Sequence, residues 1–316
     1  PLATQSGYSL LQLGGTGTFL SHTATGTDNG LILAQNVQRD TDSSWEYIVA
    51  DEATIYEQSG GVHWFYTAAA GSSGGDNISF TTNMKIDINS RISLSNNDAG
   101  GTGGSDSLSA NTFLGYLAGE DIASGGVDNT YFGHKAGSNN ATGDDNVFMG
   151  SNAGKGSHGN SNSNNVGLGS DCMLAVSTGS ANTSIGKDSS KALTDGHNNV
   201  AIGNNALETS TSVGYVVAIG DDAMKSGDVT SAADGAVAVG GSSLVALTSA
   251  VGVTAVGYQS GKAITAGGYS TFIGYNAGLT HTTGGYNMAI GYGAMDDTDA
   301  GNNSLGSTEN IFIGVD

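Results

Sequence analysis

Three runs of neighbouring carboxylates are the residues best suited to acid–base chemistry: Asp144–Asp145, Asp221–Asp222, and Asp296–Asp297 with Asp299. Glycoside hydrolysis needs two carboxyls held about 5–10 Å apart across a cleft, one to protonate the leaving oxygen and one to act as base or nucleophile. Adjacent residues on a turn face water instead, and two of the runs have no aromatic cluster beside them to wall a sugar-sized cleft. They are expected to be solvated turn residues, with cation binding between chains as the lesser reading. His22, His63, His134, His158, His197 and His281 show no ligand spacing with one another or with the single cysteine, Cys172. The Gly-Gly-x-Gly-x-Asp signature of calcium rolls is absent. Gly101–Gly104 is followed by no Lys-Ser/Thr pair, so it is no phosphate-binding loop. No catalytic residue, metal or cofactor is expected, and the chain is read as a non-enzyme.

Tyrosines give a different signal. Tyr258, Tyr275 and Tyr292 lie 17 residues apart, and each directly follows a glycine, as does Tyr116. Residues at a fixed interval in a stacked fold form a ladder, so these four are candidate receptor-binding residues, a surface on which sugar rings can stack.

The elements that would position such a ladder follow from composition. The chain has 316 residues, with 52 glycines against one proline, and 29 acidic against 9 basic side chains for a net charge of −20. Collagen needs a strict glycine triplet and abundant proline. Disorder would carry more charge and fewer apolar residues than the 37% present. No apolar run is long enough to span a membrane, and a strongly anionic chain is repelled by nucleic-acid phosphate. The chain begins at Pro1 without a methionine or signal-like segment, which reads as a fragment or processed product.

An internal repeat accounts for the glycine. The phrase Asn-(Thr/Val)-x-apolar-Gly-x-x-small recurs with its glycine at 115, 133, 150, 169, 186, 203, 220, 240, 257, 274, 291 and 314, and seven of the eleven spacings are 17. The residue before the glycine is always apolar, and the one two positions earlier is mostly β-branched, which marks a strand with those two on one face. The third residue after the glycine is Ala, Ser or Cys172 wherever it occurs. Asparagines four before the glycine, such as Asn182 and Asn199, are expected to bond their own turns and one another along the stack. A unit of 17 residues fits one coil of a narrow β-solenoid, with two short strands and two turns. The expected fold is all-β: a β-roll of about twelve coils over 111–316, a junction at 101–110, and a small β-rich domain over 1–100. Twelve coils at about 4.8 Å each make a stack of roughly 55–60 Å.

The middle residue of each strand is expected to point away from the coil interior. It is Phe113, Tyr131, Phe148, Gly167, Ser184, Ala201, Ala218, Ala238, Ala255, Phe272, Ala289 and Phe312 along the chain. An apolar outer face implies a partner. The oligomer interface is therefore assigned to Phe113, Tyr131, Phe148, Ala201, Ala218, Ala238, Ala255, Phe272, Ala289 and Phe312, with three rolls around one axis as the expected homotrimer.

At this point the sequence resembles known families. Asn199-Val-Ala-Ile-Gly203 and Asn287-Met-Ala-Ile-Gly291 resemble the head repeats of trimeric autotransporter adhesins. The longer form at Asn111–Gly119 and Asn129–Gly137, and the tract Tyr269–Gly278, resemble repeats of bacteriophage tail fibres. The stretch Gly61–Leu94, with His63-Trp64-Phe65-Tyr66-Thr67 and Met84-Lys85-Ile86-Asp87, is similar to a module that precedes such repeats in phage tail proteins. The 17-residue period exceeds the usual adhesin head repeat and favours the tail-fibre likeness. That resemblance implies a trimeric fibre segment of a virion, attaching to a glycan or protein receptor on a host cell surface. A bacterial cell-surface adhesin head, a structural filament segment, or a depolymerase with carboxylates between subunits are the alternatives.

The first hundred residues read as short strands at Ser9–Leu13, Gly30–Val37, Trp45–Val49, Thr54–Glu57, Val62–Thr67, Ile78–Thr81, Met84–Ile88 and Ile92–Ser95. Three longer insertions, Lys155–Asn165, Lys225–Gly235 and Met295–Glu309, interrupt the repeat as loops able to carry recognition.

Overall fold

A computed structural model describes residues 8–13, 15–22, 30–39, 44–86, 92–94, 111–123, 125–227, 229–296 and 307–315. The chain divides into two compact units, Pro1–Ala110 and Asn111–Asp316. The 101–110 junction and most of the Met295–Glu309 insertion lie outside the described residues.

The first unit holds strands β1 (Tyr8–Leu13), β2 (Gly17–His22), β3 (Leu31–Gln35), β4 (Val37–Arg39), β5 (Trp45–Tyr47), β6 (Ala53–Ser59), β7 (Val62–Ala68), β8 (Thr81–Ile86) and β9 (Ile92–Leu94). Seven of them form a sheet in the order β1-β2-β3-β6-β7-β8-β9, with adjacent strands antiparallel, and β4 pairs with β5. The run expected at Gly30–Val37 breaks at Asn36, which adopts φ 56°. Its side-chain amide donates to the carbonyls of Val49 at 3.0 Å and Asp51 at 2.9 Å, and its Oδ1 accepts from the Val49 amide at 2.8 Å. That clip fastens the β5–β6 loop, as asparagine does where the backbone turns left-handed. Ile32, Val37, Tyr47, Ala53, Ile55 and Ala68 fill the core.

The second unit is a parallel solenoid. Its strands are β10 (Thr112–Leu114), β11 (Thr130–Phe132), β12 (Val147–Met149), β13 (Val166–Leu168), β14 (Thr183–Ile185), β15 (Val200–Ile202), β16 (Val217–Ile219), β17 (Val237–Val239), β18 (Thr254–Val256), β19 (Thr271–Ile273), β20 (Met288–Ile290) and β21 (Ile311–Ile313). They form one twelve-stranded sheet in chain order, each pairing in register with the equivalent residues of the next coil, as Val200, Ala201 and Ile202 do with Val217, Ala218 and Ile219.

A second strand per coil was expected, and the described residues show turns there instead. The residues two and four after the repeat glycine take positive φ, for example Asn205 at 55° and Leu207 at 55°. Two left-handed residues in three positions cannot extend. The turns still bond coil to coil, as Ser190 N does to Ala206 O and Leu207 N to Ala223 O, both at 2.9 Å.

The orientation of the strands reverses the expectation. Their middle residues point into the coil: Tyr131, Phe148, Ala201, Ala218, Ala238, Ala255, Phe272 and Ala289 are wholly buried within the single chain. Phe113 is half-buried and stacks on Tyr131 at 4.8 Å, and Phe312 is partly exposed in the last coil. These residues belong to the interior and do not offer the intersubunit surface first assigned to them. What accommodates them is an exchange of volume with the residue four after the glycine. Where the middle residue is Phe or Tyr, that residue is glycine, and a Cβ on Gly119, Gly137, Gly154 or Gly278 would collide with the rings of Phe113, Tyr131, Phe148 or Phe272. Where the middle residue is Gly167, Ala201, Ala218 or Ala238, the partner is Met173, Leu207, Met224 or Leu244, all wholly buried. Close packing demands that the enclosed volume be filled; where both residues are small, at Ala255 and Gly261, Leu244 and Phe272 of the adjoining coils occupy the space.

Candidate interaction surface

With the middle residue inside, the two flanking residues of every strand face outward by the period of two. They form two columns, one of Thr, Val, Met or Ile and one of Leu, Phe, Met, Ile or Val, and none carries a charge although the chain has 29 acidic residues. Several are well exposed, including Leu114 at 51% and Phe132 at 50%. The result is an uncharged, apolar-rich sheet face running the length of the stack.

Glycine and asparagine hold this face in register. The repeat glycines adopt φ between 130° and 149°, and a Cβ on Gly203 would lie 2.3 Å from the carbonyl oxygen of Gly220 in the next coil. Asn129, Asn146, Asn165, Asn182 and Asn199 form a buried ladder in which each backbone amide donates to the preceding Oδ1, as Asn182 does to Asn165 at 3.0 Å. Side-chain amides join in, Asn199 Nδ2 donating to Asn182 Oδ1 at 2.9 Å. The same Nδ2 also donates to the Val213 carbonyl of the next coil at 2.8 Å, so each asparagine satisfies a turn as well as its neighbour. The ladder lapses at Val216, Ala236, Val253 and Ser270, and resumes at Asn287 and Asn310.

Tyrosines border the face. Tyr258 stacks on Tyr275 with centroids 5.3 Å apart, and Tyr275 on Tyr292 at 5.4 Å and 7°. Tyr116 stacks on His134 at 5.8 Å. Both faces of the Tyr275 ring are therefore covered by neighbours, and the ladder presents ring edges and hydroxyls along its length. Sugar stacking on ring faces, the role these tyrosines suggested, is confined to the ladder's ends. A second ladder was missed: Tyr269 and Tyr286, just before the strand's asparagine position, stack at 5.2 Å and 20°. Their spacing of 17 residues was the available signal.

The carboxylates sit on turns. Asp144 accepts from the Val127 amide at 3.0 Å, and Asp221 accepts from Asn204 at 3.1 Å. Asp222 is held below the usual carboxylate range by hydrogen bonds from Asn205 and then Lys225. Asp188 is lowered by Lys187 and, secondarily, Lys191, whose ammonium groups lie 2.7 and 3.0 Å away. Asp297 and Asp299 lie outside the described residues. Among the described residues no group of three His, Cys, Asp or Glu gathers as a metal site would require, and no helix is long and apolar enough to cross a membrane.

Cys172 is buried, its thiol 3.1 Å from the Ser184 carbonyl, and burial pushes its pKa up to about 12. The native thiol should not react with a disulfide reagent at pH 8 and should react at once in guanidinium; rapid reaction of the native protein would show the slot to be open. The folded state keeps this proton while the unfolded state loses it near pH 9, so the thiol's contribution to stability is full below pH 9 and is lost as pH rises towards 12.

No protein-family model, curated protein or solved structure matches the chain.

Proposed function

We propose that the chain is a segment of a homotrimeric fibre that attaches to a cell surface, and that the outward strand face, not the middle-residue column, is where the three chains meet. The observation that carries this reading is the absence of charge along that face. Two chains of net charge −20 repel over most of their surface, and here they can approach without opposed carboxylates. A strip about 55 Å long and about 12 Å wide offers each chain about 650 Å², of the order that specific interfaces bury per partner. Trimerisation also supplies three copies of any weak receptor contact on one rigid support, so attachment by avidity suits the architecture. The likeness of the repeats to phage tail fibres agrees with attachment to a host envelope, on a virion or an extracellular surface, with a glycan or protein receptor.

The test uses the whole chain. Light scattering should give three times the chain mass. Ile202→Asp with Ile219→Asp should give a monomer with an unchanged β circular-dichroism spectrum, because these side chains face outward. A wild-type monomer, or a double variant that still assembles, would overturn the interface. Wild type should be retained on immobilised cell-surface polysaccharide or envelope protein, and the monomeric variant should lose most of that retention. Shortened polysaccharide after incubation would identify a depolymerase instead.

A further inference from the structure

Resting on the trimer reading, we propose that the tyrosine ladders on opposite edges of the strand face meet between chains, so that each subunit seam is an aromatic zipper contributed half by one chain and half by the next. The face has two borders in every coil: the residue after the repeat glycine, and the residue just before the asparagine position. In two consecutive coils these borders read Tyr275 with Tyr269, and Tyr292 with Tyr286. All four are about half exposed or more, at 47%, 58%, 56% and 62%. Each ring stacks along its own border, and among the described residues no ring contact joins one border to the other within the chain.

Closing identical faces around a common axis forces one border of each chain against the opposite border of its neighbour, because the rotation carries the first onto the second. Charge and size agree with that pairing. The acids of one border are Asp128, Asp145 and Glu309 and the acid of the other is Asp221, and no coil has an acid on both. His134 faces the coil of Asp128, Lys187 falls opposite Ala181, and Tyr258 opposite Gly252.

The seam adds aromatic contacts that the columns of Val, Thr and Ile cannot supply. Level chains pair Tyr275 with Tyr269 and Tyr292 with Tyr286, and a slide of one coil pairs Tyr258 with Tyr269 and Tyr275 with Tyr286, so the tyrosines strengthen the seam and leave the axial register to other contacts.

Cysteine pairing tests this. Two differently tagged chains, one Tyr275→Cys and one Tyr269→Cys, are co-produced and mildly oxidised; Cys172 is buried and stays out of the reaction. Opposite borders should give several-fold more covalent dimer than either variant alone, where the cysteines lie on the same border. Photo-oxidation of the unsubstituted chain should likewise give interchain dityrosine, and Tyr269→Phe with Tyr286→Phe should reduce it several-fold. Trimers by scattering that show neither excess overturn the seam and leave the trimer standing. Monomers by scattering overturn the underlying reading.

Discussion

Ala218→Asp collapses the middle of the solenoid, while Ile219→Asp, one residue further on, leaves it folded. Ala218 is wholly buried, registered between Ala201 and Ala238, in a core that includes Met224, Leu207 and Leu244. An aspartate there is either ionised without a counter-charge or protonated and too large for its slot. Either state costs about 4 kcal/mol or more, a large part of the stability of an ordinary domain. The introduced carboxyl has its folded pKa raised, so the destabilisation has a definite pH sense. It is least below the unfolded carboxylate pKa of about 4 and grows as pH rises above it. Thermal melts followed by circular dichroism at pH 4 and pH 7 measure both quantities. A pH 7 melting point within a few degrees of wild type would mean that Ala218 faces solvent.

Gly203→Ala is the second large effect. The position has φ +135°, which only glycine adopts readily, and the added methyl would sit 2.3 Å from the Gly220 carbonyl oxygen. Backbone strain of about 1–3 kcal/mol adds to the disruption of the neighbouring inter-coil bond from Gly220 N to Ile202 O, now 2.7 Å. A total of about 3–5 kcal/mol should lower the melting temperature by about 10 °C or more. Gly159 separates the two causes: it has φ +81° but open space around its Cβ position, so Gly159→Ala should show strain alone. Equal losses at the two glycines would remove close coil contact as the reason for the repeat glycine.

The coil count, the strand positions and the asparagine ladder could be read in the sequence because each recurs at one interval. Sidedness could not be read from apolarity, because both faces of these strands are apolar, as in buried parallel sheets. An alternation of Val, Ala and Ile says which residues share a face and not which face is inside. The deciding signal lay four residues beyond the repeat glycine. Glycine follows Phe113, Tyr131, Phe148 and Phe272 at a fixed offset of six, where Leu207 and Met224 follow Ala201 and Ala218. Such exchange occurs only between residues that share one enclosed volume. The missing second strand had its mark too: Asn152, Asp171, Asp188, Asn205 and Asp222 stand two after the glycine, residue types that accept left-handed backbone. Tyr269 and Tyr286 are less conspicuous because their border otherwise carries Asp, Asn, Ala, Gly, Glu309 and an isolated Tyr215, without one type that recurs along it.

The lapse of the asparagine ladder has a mechanical consequence. Coils are joined to their neighbours by bonds that run along the stack, so a pull applied along it opens them one after another rather than together. Each 17-residue coil that opens releases about 55–60 Å of slack. Asn199 still bonds the coil of Val216, but the joints that follow Val216, Ala236 and Val253 lack asparagine's side-chain bonds and should yield first, acting as a fuse within the stack. A tether built this way lengthens several-fold under load and keeps its ends attached.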